Sequence, residues 1–225
     1  MKEKILFFKG FLEQQETVGS VCATSRWAAK AMCEPIAQSK KKPLNILEVG
    51  PGTGSVTKEI LKHLGPSDSL LLCELNSSFV EHLQKRFLNE ADFREKRDRV
   101  DIFEGAVQDL TLDRKFDFIV CSLPFLNFPV SLTHEIFRNF AAAGTEECIL
   151  TFYEYIGFRT LGRNVGPSER RERLIDLSRY YVKLFPVCKS ETERVWLNVT
   201  PIAVRQLRIG EAKNAIDGIA PAATF

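Results

Sequence analysis

The chain has 225 residues, of which 44% are hydrophobic and 27% charged, and its net charge is +2. That length suits one sizeable domain, and the composition excludes a disordered or fibrous chain. No apolar run reaches the roughly 20 residues that a membrane-spanning helix needs, and a chain this close to neutral is no polycation.

The charge is unevenly placed. Residues 1–42 hold eight Lys/Arg against four Glu, a local excess larger than the charge of the whole chain. A basic end favours an anionic partner, either a membrane surface or a nucleic acid. In "KEKILFFKGFL", Ile5, Phe8 and Leu12 share a helical stripe while Lys2, Lys4 and Lys9 can face lipid phosphates, as in interfacial helices. Packing of that stripe on the protein's own sheet is the competing reading. Lys9 breaks the apolar run and no small-residue cleavage site follows, so the segment does not read as a secretory signal. Helices are expected over Lys2–Gln15 and from about Ser25, the second with Pro35 near its end.

From residue 43 strand-like and helix-like segments alternate. "PLNILEV" reads as a strand and Thr53–Leu64 as a helix stopped at Gly65-Pro66. "SLLLCEL" is a strand, and Ser77–Asn89 is a helix with two serines available as caps. "RVDIFEG" and "KFDFIVCSL" are strands, Leu132–Ala142 is a helix stopped by Gly144, and "ECILTFYEY" is a strand. This alternation implies βαβ units and an α/β fold with a doubly wound, mostly parallel sheet, its short apolar strands covered on both faces. After a basic stretch, "RTLGRNVGPSERRER", the runs "YYVKLFPV" and "ERVWLNVTPIAVRQL" read as an antiparallel pair that completes the sheet. The tail from Glu211 reads as frayed.

The six cysteines (22, 33, 73, 121, 148 and 188) form no CxxC pair and no metal-ligand spacing. They read as small core residues of a reducing, cytoplasmic compartment, and no metal is expected.

Chemistry concentrates in two stretches. In "NILEVGPGTGSVTKEIL", Glu48 closes a strand and Gly50, Gly52 and Gly54 form the turn into a helix. Glycines there permit positive φ and let a ligand approach backbone. Glu74, at the end of the next strand, follows the last glycine by about 20 residues, where an acid can hold two ribose hydroxyls. A dinucleotide site shares that acid, but its usual GxGxxG spacing is absent. In "IVCSLPFLNFP", a buried-looking strand runs into two prolines and two of its phenylalanines.

"ILEVGPGTGSVT" resembles the first motif of class I S-adenosylmethionine-dependent methyltransferases, and "LLLCELN" resembles the second. The resemblance implies a seven-stranded Rossmann-like sheet with S-adenosylmethionine as co-substrate. It puts Glu48, Gly50, Gly52 and Gly54 around the methionine moiety and Glu74 on the ribose. In the third motif Ala106 stands where the family often has an acid beside adenine, and Asp109 lies three residues on. "CSLPF" occupies the fourth-motif position, where amino-methylating enzymes often carry Asn-Pro-Pro-Tyr or Asn-Leu-Pro-Tyr. The resemblance gives Ser122, Leu123, Pro124 and Phe125 the catalytic loop, with Ser122 also beside the cofactor and Phe125 facing the substrate.

Taken in order, "FLEQQETVGSVCATSRWAAKAM", "LEVGPGTG", "SLPFLNFP" and "VWLNVTPIAVRQL" resemble the bacterial phospholipid N-methyltransferases, a subgroup often described as ribosomal RNA adenine dimethylase-like. This resemblance implies methylation of a phosphatidylethanolamine-type amine by a monomer. Residues 1–42 would serve as lid or membrane contact, 43–210 as methyltransferase domain and 211–225 as tail. Tyr153, Glu154 and Tyr155 are the candidates to receive the amine proton, with His134 farther off. Arg159, Arg163, Arg170, Arg171 and Arg173 form a second basic set for phosphate. An RNA adenine acceptor is the alternative, and a non-catalytic module that binds S-adenosylmethionine or lipid is a third reading.

Overall fold

The computed structural model describes residues 24–41, 43–110, 114–157, 167–198 and 200–219. The expected first helix, Cys22, Arg159 and Arg163 lie outside the described residues. Strands β1 (Asn45–Val49), β2 (Ser69–Glu74), β3 (Val100–Glu104), β4 (Phe116–Cys121), β5 (Gly144–Tyr155), β6 (Glu191–Val195) and β7 (Ile202–Arg208) form one sheet. Its order is β3-β2-β1-β4-β5-β7-β6, with β1 to β5 parallel and β7 antiparallel to both of its neighbours. The order reverses beside β1, between its neighbours β2 and β4. Ligands of open α/β sheets bind at such a switch point, beyond the carboxyl ends of the strands.

Two apolar layers enclose the sheet, which is why its strands read as continuous apolar runs. One layer is built on α1 (Arg26–Gln38), α2 (Ser55–His63) and α3 (Ser77–Asn89), through Met32, Ile60, Leu83 and Phe87. The other is built on α4 (Val130–Ala143) and α5 (Ser168–Val187), through Phe137, Phe140, Tyr181 and Leu184. Helix α1 starts at Ser25, whose hydroxyl accepts from the Ala28 amide at 3.2 Å, and the Thr151 hydroxyl of β5 donates to the Met32 carbonyl at 2.9 Å. At the amino ends of the strands, Asp117 accepts from Lys41 Nζ at 2.6 Å and from the Asn45 amide at 2.9 Å, fastening the approach to β1 onto β4. No helix among the described residues is long and apolar enough to cross a membrane.

Three expectations are corrected. "YYVKLFPV" is helical, the end of α5, and the antiparallel hairpin comes from the second run alone as β6 and β7. Leu174, Leu177, Tyr181 and Leu184 recur at three- and four-residue intervals and bury one helical stripe, so the period is that of a helix and not of a strand. Helix α3 is capped by Asn76, which accepts from the Ser78 amide at 2.8 Å, and not by a serine. The tail is not frayed through residue 219. A short helix, α6 (Lys213–Asp217), docks on the α4/α5 layer with Ala212, Ile216 and Ile219 buried.

Because Ile216 is fully buried, Ile216→Ala should lower stability by about 2–4 kcal/mol. At roughly 2–4 °C per kcal/mol for a chain of this size, a thermal melt resolves that loss easily. A melt unchanged within a degree would return the tail to a frayed state.

Candidate functional site

The turn after β1 takes its shape from three glycines with φ of +70°, +54° and +79° at positions 50, 52 and 54. Each has a distinct reason to lack a side chain. A Cβ on Gly50 would lie 3.1 Å from Leu123 Cδ2, and one on Gly54 would lie 2.9 Å from Leu83 Cδ2. At Gly52 a Cβ would meet nothing within 4 Å, so the backbone there faces open space. A turn of this kind exposes amide groups to a ligand at close range.

Glu74 holds the turn. Its carboxylate accepts from the Gly52 amide at 3.0 Å and from the Asn76 amide at 2.9 Å, so one side chain ties the β1 turn to the end of β2. The β4 loop closes on the same point: the Ser122 amide donates to the Val49 carbonyl at 2.9 Å, and the Gly50 amide donates to Cys73 at 3.0 Å. Gly50, Gly52, Gly54, Glu74, Ser122 and Leu123 are thus brought together at the carboxyl ends of β1, β2 and β4.

Beneath them sits Glu48, fully buried on the α1/α2 side, with neither carboxyl oxygen in a hydrogen bond among the described residues. Burial pushes its pKa up to about 8. The hydroxyl and amide of nearby Thr57 oppose that rise without reaching hydrogen-bond geometry, and Glu74 adds to it. An acid kept neutral at pH 7 beside an open, amide-lined turn suits a cationic ligand, since a nearby positive charge would draw it to its ionised form. The Ser122 hydroxyl is also buried without a partner among the described residues. Two unmet polar side chains and a space that a Cβ would fill are what an absent polar cation would satisfy. S-adenosylmethionine therefore fits here, and Gly52, Glu48 and Glu74 would be the residues to hold it.

The remaining predicted residues divide. Ala106 is buried at the end of β3 and its methyl offers no acceptor, while Asp109 is exposed one turn on. Leu123 packs beside Gly50, and Pro124 precedes a helical turn formed by residues 125–127. Phe125 corrects the expectation of a ring facing the substrate. It is 4% exposed, with Phe137 at 5.1 Å, Phe152 at 5.5 Å and Phe128 at 6.0 Å between ring centres, so core aromatics cover it. Tyr153 stands one strand from Ser122, edge-on to Tyr155 at 5.7 Å, and burial raises its phenol well above the usual range. It stays protonated and is no base. Glu154 is committed to Arg205 at 3.0 Å. His134 belongs to the opposite layer beside Tyr180 at 3.4 Å, where burial and then Arg138 lower its pKa. Among the described residues no three His, Cys, Asp or Glu side chains gather as a metal site.

One positioning residue escaped the sequence reading. Arg86 of α3 donates to the Thr53 carbonyl at 2.7 Å, is held by Glu90 through Nε at 2.6 Å and Nη2 at 2.7 Å, and stacks 4.0 Å from the Phe93 ring centre. It braces the glycine turn from outside. Its only sequence signal is the Arg86/Glu90 spacing of four, which surface helices commonly show.

A doubly wound sheet of this order, with an open glycine turn after β1 and an acid at the end of β2, is the architecture of enzymes that bind S-adenosylmethionine. A family model described as "Methyltransferase domain" matches residues 46–144. The ornithine lipid N-methyltransferase of Singulisphaera acidiphila is 31% identical over 144 residues, spanning 61% of this chain and 70% of that protein. A ribosomal RNA small subunit methyltransferase of Arabidopsis thaliana is 35% identical over 80 residues, 36% of this chain and 20% of the relative. Among solved structures, the O-methyltransferase from Bacillus cereus in complex with SAH has a TM-score of 0.60 at 13% identity, covering 88% of this chain and 89% of that one. The O-methyltransferase TomG from Streptomyces achromogenes, in complex with SAM, has a TM-score of 0.57 at 12% identity, covering 84% and 81%. At such identities the likeness is one of fold. The chain belongs to the class I S-adenosylmethionine-dependent methyltransferases, and S-adenosylmethionine is its co-substrate.

Calorimetry should find that Gly52→Val and Glu74→Ala abolish S-adenosylmethionine binding, while Arg86→Ala weakens it by roughly tenfold through one lost brace. Unchanged binding in the first two variants would refute the placement of the site. Glu48 makes a separate prediction for the cofactor-free protein. With a folded pKa of about 8 against 4.5 unfolded, the pH-dependent part of the cost of burying the acid is zero below about pH 4.5. The cost grows as pH rises to about 8 and is constant above that. Glu48→Gln should therefore gain on the wild type by a few kcal/mol between pH 5 and pH 9. A melting-temperature difference that does not move with pH would show that Glu48 is ionised in the fold.

Proposed function

We propose that the chain methylates the amine of a membrane lipid, with phosphatidylethanolamine-type headgroups as the acceptor. The observation that carries this reading is the 31% identity across 70% of a protein named for N-methylation of ornithine lipid. The similarity to the ribosomal RNA enzyme extends over only 20% of that relative, which gives the RNA reading much less support.

An amine attacks only as the free base, and this chain's contribution is chiefly alignment in a water-poor site. Bound against the glycine turn, the co-substrate supplies an electrophilic methyl group on a sulfonium. Gly52, Glu74 and Asn76 fix the backbone on which that group is held, and Arg86 keeps the turn from shifting. In this reading the Ser122 hydroxyl at the end of β4, buried without a partner among the described residues, accepts an amine N–H, the role an amide fills in related fourth motifs. Tyr153, kept protonated, orients the headgroup by hydrogen bond and by the negative face of its ring. Phe125 acts at one remove: it packs the loop that carries Ser122.

The test offers radiolabelled S-adenosylmethionine with phosphatidylethanolamine vesicles and, separately, with undermethylated ribosomal subunits. Label should enter the lipid and be lost in Ser122→Ala by tenfold or more, with cofactor affinity kept. Label in RNA and none in lipid would overturn the lipid reading and leave the fold and co-substrate in place.

A further inference from the structure

The chain has two tryptophans, and both are exposed on one edge of the molecule. Trp27 is 42% exposed, Trp196 63% and the adjacent Leu197 68%. Their position follows from register. Val195, the last residue of β6, pairs with Ile202, and Ile202 pairs with Tyr155 at the carboxyl end of β5. Trp196 and Leu197 therefore leave the sheet at its carboxyl edge, where the glycine turn and Ser122 lie. Helix α1 opens at the same edge, with the Ser25 hydroxyl 3.5 Å from the Leu197 carbonyl and Trp27 in its first turn. A groove of about 580 Å³ runs between Trp27, Lys30 and Ala31 on the helix and Val195 to Leu197 on the strand side. The other exposed large apolar residues described, Leu88, Val182 and Val187, sit on α3 and α5 away from this cluster.

Charge is sorted along the same axis. The Arg26 guanidinium lies 4.8 Å over the Trp27 ring, Lys30 is one turn below it, and Arg194 precedes Val195. Neither Arg26 nor Arg194 has an ion-pair partner among the described residues. The acids that line the groove are Glu193, which pairs with Val204 in mid-sheet, Glu34, two turns below Trp27, and Glu59 of α2, which is taken up by Lys62 and His63. The amino edge of the sheet is different, because there Lys41 meets Asp117 at 2.6 Å and Lys189 meets Glu211 at 2.5 Å. One edge is neutralised, and the other presents indole rings with cations beside them.

We propose that Trp27, Trp196 and Leu197, with Arg26, Lys30 and Arg194 around them, seat the carboxyl edge of the sheet on an anionic phospholipid surface. Indole is amphipathic and settles at the headgroup level of a bilayer, while arginine and lysine pair with lipid phosphate. An acceptor held in a bilayer must be met from the carboxyl edge of the sheet, and this rim lies on the same edge as the glycine turn and Ser122. The inference rests on the lipid reading above and adds where on the molecule the membrane sits.

Since both tryptophans are on the rim, the intrinsic fluorescence of the full chain reports this surface directly. Phosphatidylcholine vesicles containing phosphatidylglycerol, with bromine near the top of the acyl chains, should shift the emission to shorter wavelength and quench it. Vesicles of phosphatidylcholine alone should do so less. Trp196→Ala and Leu197→Ala should each weaken vesicle binding by roughly tenfold while leaving methyl transfer to a water-soluble short-chain aminolipid unchanged. Emission that does not respond to vesicles overturns the proposal, even if label enters lipid. Emission already short and shielded from acrylamide without vesicles also overturns it, because another part of the chain or a second copy then covers the rim. Vesicle binding through the rim with no label in any lipid would uphold the docking surface and remove the lipid acceptor.

Discussion

The site depends on one carboxylate. Glu74 accepts from the Gly52 and Asn76 amides, and through those two bonds the end of β2 dictates the path of the turn after β1. Bonds from backbone amides to a charged acceptor are among the stronger ones in a protein, and this one is largely shielded from water. Without it, three left-handed glycines at alternate positions would leave the turn free to take many conformations. Arg86 completes the constraint from the other side, by holding the Thr53 carbonyl. The same acid thus fixes the shape of the open glycine turn.

Around that clasp the two layers of the sheet do different work. The α4/α5 layer is aromatic: Phe125, Phe137, Phe152 and Tyr181 pack in edge-on and tilted pairs into one block, which carries the loop bearing Ser122. The α1/α2 layer contains the chemistry. Glu48 is buried there without a hydrogen bond, and Tyr153 turns the same way from β5. A neutral buried acid is a stability cost that the fold carries at physiological pH, offset when a cation arrives. Rigid support on one face and strained polarity on the other is the arrangement expected where function is retained at the expense of stability.

The same asymmetry appears at the surface. Ion pairs neutralise the amino edge of the sheet, whereas indoles and basic residues crowd the carboxyl edge, where the site opens. A fold of this class binds its ligand at the carboxyl edge whatever the acceptor. The acceptor is therefore set by what surrounds the mouth and not by the sheet beneath it.

The parallel sheet, the glycine turn, Glu48 and Glu74 were legible in the sequence, because each rests on local rules. Apolar runs of strand length, a glycine at each left-handed position and a fixed distance to the next strand's acid all lie within about 30 residues of chain. An antiparallel addition to the sheet was legible too, but its pairing was read between "YYVKLFPV" and the second run, whereas β6 and β7 form it without the first. What required the tertiary structure depended on distant partners. "YYVKLFPV" alternates well enough for a strand, and only the stripe from Leu174 to Leu184 against α4 makes it a helix. Phe125 sits in a motif that suggests substrate contact, yet Phe137 and Phe152, supplied by α4 and β5, enclose its ring. Arg86 is an ordinary helix-surface residue until the turn at Thr53 is folded against it. Trp27 and Trp196 are 169 positions apart in the chain and line one groove only because β6 ends where α1 begins. Local propensity and spacing decide which elements form; which side chains are covered, braced or left facing outward is decided by contacts between elements far apart in the chain.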